Sequence, residues 1–161
     1  MLLEGSCHCG AVRFSLNART PVPYMRCYCS ICRKTAGGGG YAINLGGDAA
    51  TLEVEGEADI TVYRVRLGEG EDGLSPARRH FCGLCGSALW VIDPRWPELV
   101  HPFASAIDTP LPPAPEHANI MLDYAPAWAV VPAGAGEARF AEYPDQSIED
   151  WHKARGLDVD R

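Results

Sequence analysis

Seven cysteines fall into three tight groups, and thiols so placed can grip a soft metal ion. Cys7 and Cys9 form C-x-C, and Cys27, Cys29 and Cys32 form C-x-C-x2-C. Cys82 and Cys85 form C-x2-C within His80-Phe81-Cys82-Gly83-Leu84-Cys85-Gly86, and no cysteine lies outside a group. Thiolate sulfur selects zinc, copper(I) or iron–sulfur clusters over hard cations. Two pairs brought together supply the four thiolates of a structural zinc site. Seven ligands divide into four and three. Cys7, Cys9, Cys82 and Cys85 offer four thiolates from two distant segments. Cys27, Cys29 and Cys32 offer three from one segment, and three protein ligands with a fourth position left to water or substrate is the usual form of a catalytic zinc.

This spacing makes demands on the backbone. Side chains two residues apart on an ideal strand lie roughly 6.5 to 7 Å apart. Two sulfurs bound at ~2.3 Å to one tetrahedral ion stand ~3.8 Å apart. A chelating C-x-C therefore needs a turned or strongly twisted backbone, or side chains that lean inward. Gly10, Gly83 and Gly86 each follow a cysteine, and glycine permits the positive φ that turns amides toward sulfur.

Other chemistries fit less well. Disulfides suit an exported chain, but seven is odd and no export signal is visible. C-x-C is an uncommon spacing for iron–sulfur ligands. A thioredoxin-type reading of Cys29–Cys32 lacks the surrounding βαβ pattern. The trio could also be purely structural, completed by a histidine: His8, His80, His101, His117 and His152 are formally available, and none is assigned. Arg33 and Lys34 directly follow the trio. They read either as a solvated helix face or as cations that lower thiolate pKa values and attract an anionic ligand.

The elements that must position these groups are mostly strands. Ala11–Leu16 alternates apolar and polar from Val12 onward, the mark of a half-buried strand. Ile60–Arg66 is rich in β-branched and aromatic residues. Arg78–Phe81 leads into the last cysteine pair and Ala88–Ile92 leaves it, which outlines a hairpin with a metal knuckle at its tip. Tyr41–Leu45, Leu99–Phe103 and Asn119–Leu122 are weaker strand candidates. Short helices are expected over Ser30–Thr35 and near the C-terminus, where Ser147 and Asp150 resemble a capping box and Ile148, Trp151 and Ala154 keep helical spacing. Gly37–Gly40, the acidic stretch Gly68–Gly73, the proline-rich Pro110–Pro115 and a linker at Pro132–Gly136 punctuate the chain.

The chain has 161 residues and a formal net charge of −7. The length suits one domain with a real core. An acidic chain with no long basic block is a poor partner for nucleic acid. No apolar run approaches membrane-spanning length. The N-terminal stretch lacks the basic and apolar regions of a signal peptide. A cytoplasmic protein is expected, with neither nucleic acid nor membrane as partner.

Three runs carry a family resemblance: Gly5-Ser6-Cys7-His8-Cys9-Gly10-Ala11-Val12, Cys27-Tyr28-Cys29-Ser30-Ile31-Cys32-Arg33-Lys34, and Phe81-Cys82-Gly83-Leu84-Cys85-Gly86. In their order and spacing the chain resembles the glutathione-dependent formaldehyde-activating enzyme (GFA) family, which includes the centromere protein V type, over about residues 3 to 130. The resemblance implies a mostly β, zinc-bearing β-tent fold of antiparallel strands with short helices. It implies a GFA-type zinc-binding domain over 1–132; the remainder, 133–161, is expected as a C-terminal extension with a short helix packed on the same domain. It implies two zinc ions, a structural one on Cys7, Cys9, Cys82 and Cys85 and a second on Cys27, Cys29 and Cys32. The implied reaction is a carbon–sulfur lyase one, in which glutathione adds reversibly to formaldehyde to give S-hydroxymethylglutathione. Small-molecule thiol and aldehyde are then the partners, with Arg33 and Lys34 as candidate contacts for the glutathione carboxylates. The alternative is a zinc-binding scaffold or interaction module without catalysis.

Overall fold

The computed structural model describes residues 1–68 and 72–157. Of the acidic stretch Gly68–Gly73, residues 69–71 lie outside the described residues. In chain order the elements are β1 (Leu2–Ser6), β2 (Arg13–Asn17), β3 (Tyr24–Cys27), α1 (Ser30–Ala36), β4 (Ala42–Asn44), β5 (Gly47–Asp48), β6 (Glu53–Glu55), β7 (Ile60–Tyr63), β8 (Arg78–Cys82), β9 (Ala88–Ile92), β10 (Leu99–Pro102), β11 (His117–Ile120), β12 (Glu137–Arg139) and α2 (Ile148–Ala154). The architecture is mostly β with two short helices. No described helix is long and apolar enough to cross a membrane.

The chain forms two compact units, one from Met1–Ala18 with Asn44–Leu111 and the other from Arg19–Ile43 with Pro112 onward. The first unit holds an antiparallel sheet in the order β1-β2-β6 and another in the order β5-β10-β9-β8-β7. Alternation explains β2: Phe14 and Leu16 are buried, while Arg13 and Asn17 face solvent. Strand β9 instead buries Leu89, Trp90 and Val91 in succession, as a strand covered on both faces does. The Trp90 ring meets Phe14 edge-on at 5.0 Å and stacks on His80 at 5.3 Å. The β8–β9 ladder shifts register between His80 and Phe81. That irregularity stands immediately before Cys82, where such shifts commonly re-aim side chains.

The second unit holds the sheet β12-β11-β3-β4. Here β11 runs parallel to both β3 and β12, a departure from the all-antiparallel expectation. Alternation then sorts its residues by face. Tyr24, Arg26, His117, Asn119 and Glu137 share one face, and Met25, Cys27, Ala118, Ile120 and Ala138 share the other. The stretch after residue 132 supplies both β12 and α2. Ser147 caps α2 by accepting from the Asp150 amide at 3.0 Å, and the buried His152 donates from Nε2 to the Val22 carbonyl at 2.6 Å. Strands β1, β3, β5, β6 and β12 have no counterpart among the expected strands. Ile60–Arg66 is strand only as far as Tyr63.

Candidate metal centres

The first unit gathers four sulfurs at two neighbouring turns. The β1–β2 turn carries Cys7 and Cys9. Its Gly10 has φ +78° and donates to the Cys7 carbonyl at 3.0 Å, while the Cys7 and Val12 backbones bond at 3.0 Å. The β8–β9 turn carries Cys82 and Cys85. There Gly86 has φ +75° and donates to the Cys82 carbonyl at 2.8 Å, and the Cys82 amide donates to the Ser87 carbonyl at 2.9 Å. The His8 amide donates to the Ser87 hydroxyl at 3.1 Å and ties one turn to the other. Gly83 serves differently from its neighbours. Its φ is not positive; it is small because a side chain there would meet Thr61 Oγ1 at 2.8 Å and the Asp59 carbonyl at 3.2 Å.

The ligand atoms of Cys7, Cys9, Cys82 and Cys85 all lie within 4.8 Å of one another. Cys7 and Cys9 sulfurs are 3.4 Å apart, and Cys9 and Cys82 sulfurs 3.8 Å. The thiols are free rather than bridged. These separations match the ~3.8 Å edge of a four-thiolate tetrahedron around zinc. Cys7 and Cys82 are buried, and Cys9 and Cys85 are exposed. Burial opposes ionisation of Cys7, but the Val12 amide, 3.2 Å from its sulfur, and the thiols of Cys9 and Cys82 outweigh it and lower its pKa. The Ser87 hydroxyl and amide bring Cys85 down to about 5. The Ala11 amide favours the Cys9 thiolate, but Cys7 and Cys85 together push that thiol up to about 12. Cys85 is thus favoured as thiolate while Cys9 holds its proton. A soft cation replaces that sharing by stabilising every sulfur as thiolate. The donor set therefore fits zinc.

The second unit gathers the trio. Cys27 ends β3, Cys29 caps α1, and Cys32 lies in the first turn of α1. The strand-to-helix corner is the bend that a chelating C-x-C requires. Cys29 adopts φ −59° and ψ 154°, and its sulfur accepts from the Cys32 amide at 3.4 Å. All three sulfurs lie within 4.8 Å of one another, and Cys27 and Cys32 are buried. The thiols of Cys27 and Cys32 donate to Cys29 and hold it down at about 2, whereas Cys29, Cys32 and burial push Cys27 well above its ordinary value. Neither sulfur group includes a histidine or a carboxylate among the described residues. His101 donates from Nδ1 to the Leu45 carbonyl at 3.1 Å, His117 pairs with Glu137 at 3.2 Å, and His152 is held by Val22. The trio is thus an all-sulfur donor set suited to a soft ion, one protein ligand short of a tetrahedron.

Arg33 is half-buried and Lys34 exposed on α1. The Arg33 Nε is enclosed and makes no hydrogen bond. Sequence reasoning missed the polar network on the opposite face of this sheet. Glu137 accepts from Arg26 at 2.8 Å and from Asn119 Nδ2 at 2.9 Å. The fully buried Asn119 in turn accepts from the Tyr28 hydroxyl at 3.4 Å. Tyr28 stands between Cys27 and Cys29, so the network buttresses the trio's backbone. Asn119 falls in an expected strand, but nothing local marks Glu137 as its partner.

The sequence matches the family described as "Glutathione-dependent formaldehyde-activating enzyme" over residues 2–122. A protein of Halomonas elongata, named "Putative glutathione-dependent formaldehyde-activating enzyme", is 59% identical over 159 residues, covering 98% of this chain and 99% of its own. A crystal structure of a Rhodobacter sphaeroides protein is similar with a TM-score of 0.50 and 25% identity, covering 68% of this chain and 91% of that one.

Proposed function

The chain belongs to the glutathione-dependent formaldehyde-activating enzyme family, and from that premise we propose that it is a zinc-dependent carbon–sulfur lyase acting on the adduct of a small thiol and an aldehyde. Glutathione and formaldehyde are the reference pair. The observation that carries the reading is the trio of Cys27, Cys29 and Cys32, three mutually close sulfurs with no histidine or carboxylate joining them among the described residues. In the same reading Cys7, Cys9, Cys82 and Cys85 hold a structural zinc. Free thiols in both groups suit a reducing, cytoplasmic setting.

The reaction joins the thiol sulfur to the carbonyl carbon; the thiol proton ends on the carbonyl oxygen, and the reverse reaction undoes both changes. Zinc on the trio would supply Lewis-acid stabilisation of a thiolate or of a carbonyl oxygen. The residues themselves do the positioning. The β3–α1 corner fixes three sulfurs on one short segment, and Tyr28 locks that segment to Asn119. Arg33 and Lys34 offer positive charge beside the trio to the carboxylates of a glutathione-like thiol. Holding thiol and aldehyde together converts a two-body encounter into a local one.

Exchange spectroscopy of formaldehyde with glutathione tests the reading. The zinc-loaded protein is expected to accelerate interconversion of free glutathione and its hydroxymethyl adduct over buffer. A rate equal to buffer across a panel of thiols would replace the enzyme with a metal-stabilised binding module.

A further inference from the structure

A largely apolar cavity of about 220 Å³ opens in the second unit beside α2. Its lining includes Met25, Ala118, Ala138 and Phe140 from the sheet side and Ile148 and Trp151 from α2, with polar groups of Glu116, His117, Gln146 and Arg155 among them. Strand register explains why these residues meet. Met25 stands opposite Ala118, and Ala118 opposite Ala138, so all three project from one face. Two alanines side by side leave the hollow. Cys27 is the next residue of β3 on that same face, opposite Ile120, about 6.6 Å along the strand from Met25. The hollow and the first cysteine of the trio thus lie on one face of the sheet, with Cys27 itself buried just beyond the cavity lining.

The helix above the hollow is tied in place. His152 is bonded to the Val22 carbonyl at 2.6 Å. Arg155 forks onto Glu116 at 3.0 and 2.6 Å, and its guanidinium lies 4.1 Å from the centre of the Trp151 ring. These contacts hold the helix on its sheet without filling the space. A dry apolar cavity of about 150 Å³ is enough for one benzene ring, so this one accommodates a ring or a short alkyl chain.

We propose that this cavity is a subsite for the apolar substituent of an aldehyde, a single aromatic ring or short alkyl chain, whose carbonyl carbon is presented to the trio. The inference rests on the reaction proposed above and names its substrate class. Formaldehyde has no substituent and leaves the hollow unused. The reaction balances as before: the sulfur–carbon bond forms, and the thiol proton ends on the carbonyl oxygen of a hemithioacetal.

The test uses the zinc-loaded full chain in two measurements. Calorimetric titration with benzyl alcohol, an unreactive analogue of benzaldehyde, is expected to show saturable binding at one site per chain. Ala138→Leu fills the hollow and is expected to weaken that binding by about tenfold or more. The ratio of kcat/KM for benzaldehyde over formaldehyde is expected to fall by a similar factor. Ala138→Val is a milder filling that keeps the comparison available if the leucine variant does not fold. Absence of saturable binding, or a ratio that neither variant moves, overturns the subsite. Saturable binding without faster exchange of any aldehyde overturns the reaction itself, and the substrate role of the cavity with it.

Discussion

Gly83 shows how little room surrounds the sulfur tetrad. Its amide donates to the Asp59 carbonyl at 2.7 Å, and an added methyl would meet Thr61 Oγ1 at 2.8 Å. Gly86, three residues on, has open space around it but φ +75°. Gly83→Ala is expected to force the β7 end away and to cost about 1–3 kcal/mol by overpacking. Gly86→Ala should cost about 1–2 kcal/mol through backbone conformation alone. Denaturant titration reads both. Metal competition should show the larger loss of tetrad affinity for Gly83→Ala, since only there does a neighbouring strand have to move. The cysteines divide in the same way. Cys82→Ser removes a fully buried sulfur that joins the two turns, and the protein should lose its folding transition, because structural zinc contributes folding free energy directly. Cys32→Ser should lower the metal content from two to about one while circular dichroism stays near wild type. Identical behaviour of the two variants would refute the division of roles.

At the scale of elements, β12 draws its importance from its neighbours. It is three residues long, yet Glu137 takes hydrogen bonds from Asn119 on β11 and Arg26 on β3. The Asn119 hydrogen bond, then the Arg26 and His117 charges, hold the Glu137 carboxyl below its ordinary value of 4.5. A carboxyl lowered by folding stabilises the native state fully above its unfolded pKa and loses that contribution as pH falls through the folded pKa. Asp93, held down by the Arg95 fork at 2.6 and 3.0 Å, acts in the same direction. Stability should therefore decline on acidification below about pH 4.5. Glu137→Gln should lower stability at neutral pH and flatten that decline, as read from unfolding midpoints across the acid range.

At the scale of the whole molecule, the two sulfur groups sit in different compact units, the tetrad in the first and the trio in the second. Each unit has its own sheets and its own buried side chains, among them Leu3, Leu16, Leu89 and Val100 in the first and Tyr28, Asn119 and Ile120 in the second. Local opening follows such cooperative blocks. Hydrogen exchange on Cys32→Ser is expected to show faster exchange in β3 and α1 and unchanged protection in β1, β2, β8 and β9. Chelation strong enough to strip the tetrad should expose those four strands as well. Uniform loss of protection in Cys32→Ser would mean that the units unfold together.

Local chemistry is legible in the order of the residues alone. Chelating groups are close in the chain, so C-x-C and C-x2-C announce themselves. Alternation in β2, the apolar run of β9 and the Ser147 cap of α2 are equally local signals, written in side chains a few residues apart. Which of those signals meet depends on how the strands pair in three dimensions. Cys7 and Cys9 approach Cys82 and Cys85 because two hairpin turns are brought side by side. Met25, Ala118 and Ala138 share a face with Cys27 because β11 lies parallel between β3 and β12. The β3–β11 pairing joins strands more than ninety residues apart through backbone hydrogen bonds common to every residue type, as from the Tyr28 amide to the Ile120 carbonyl. Strand partners of this kind leave no imprint on neighbouring side chains, which is why the polar buttress of Glu137 and the hollow beside Ala138 emerge only when the chain is folded.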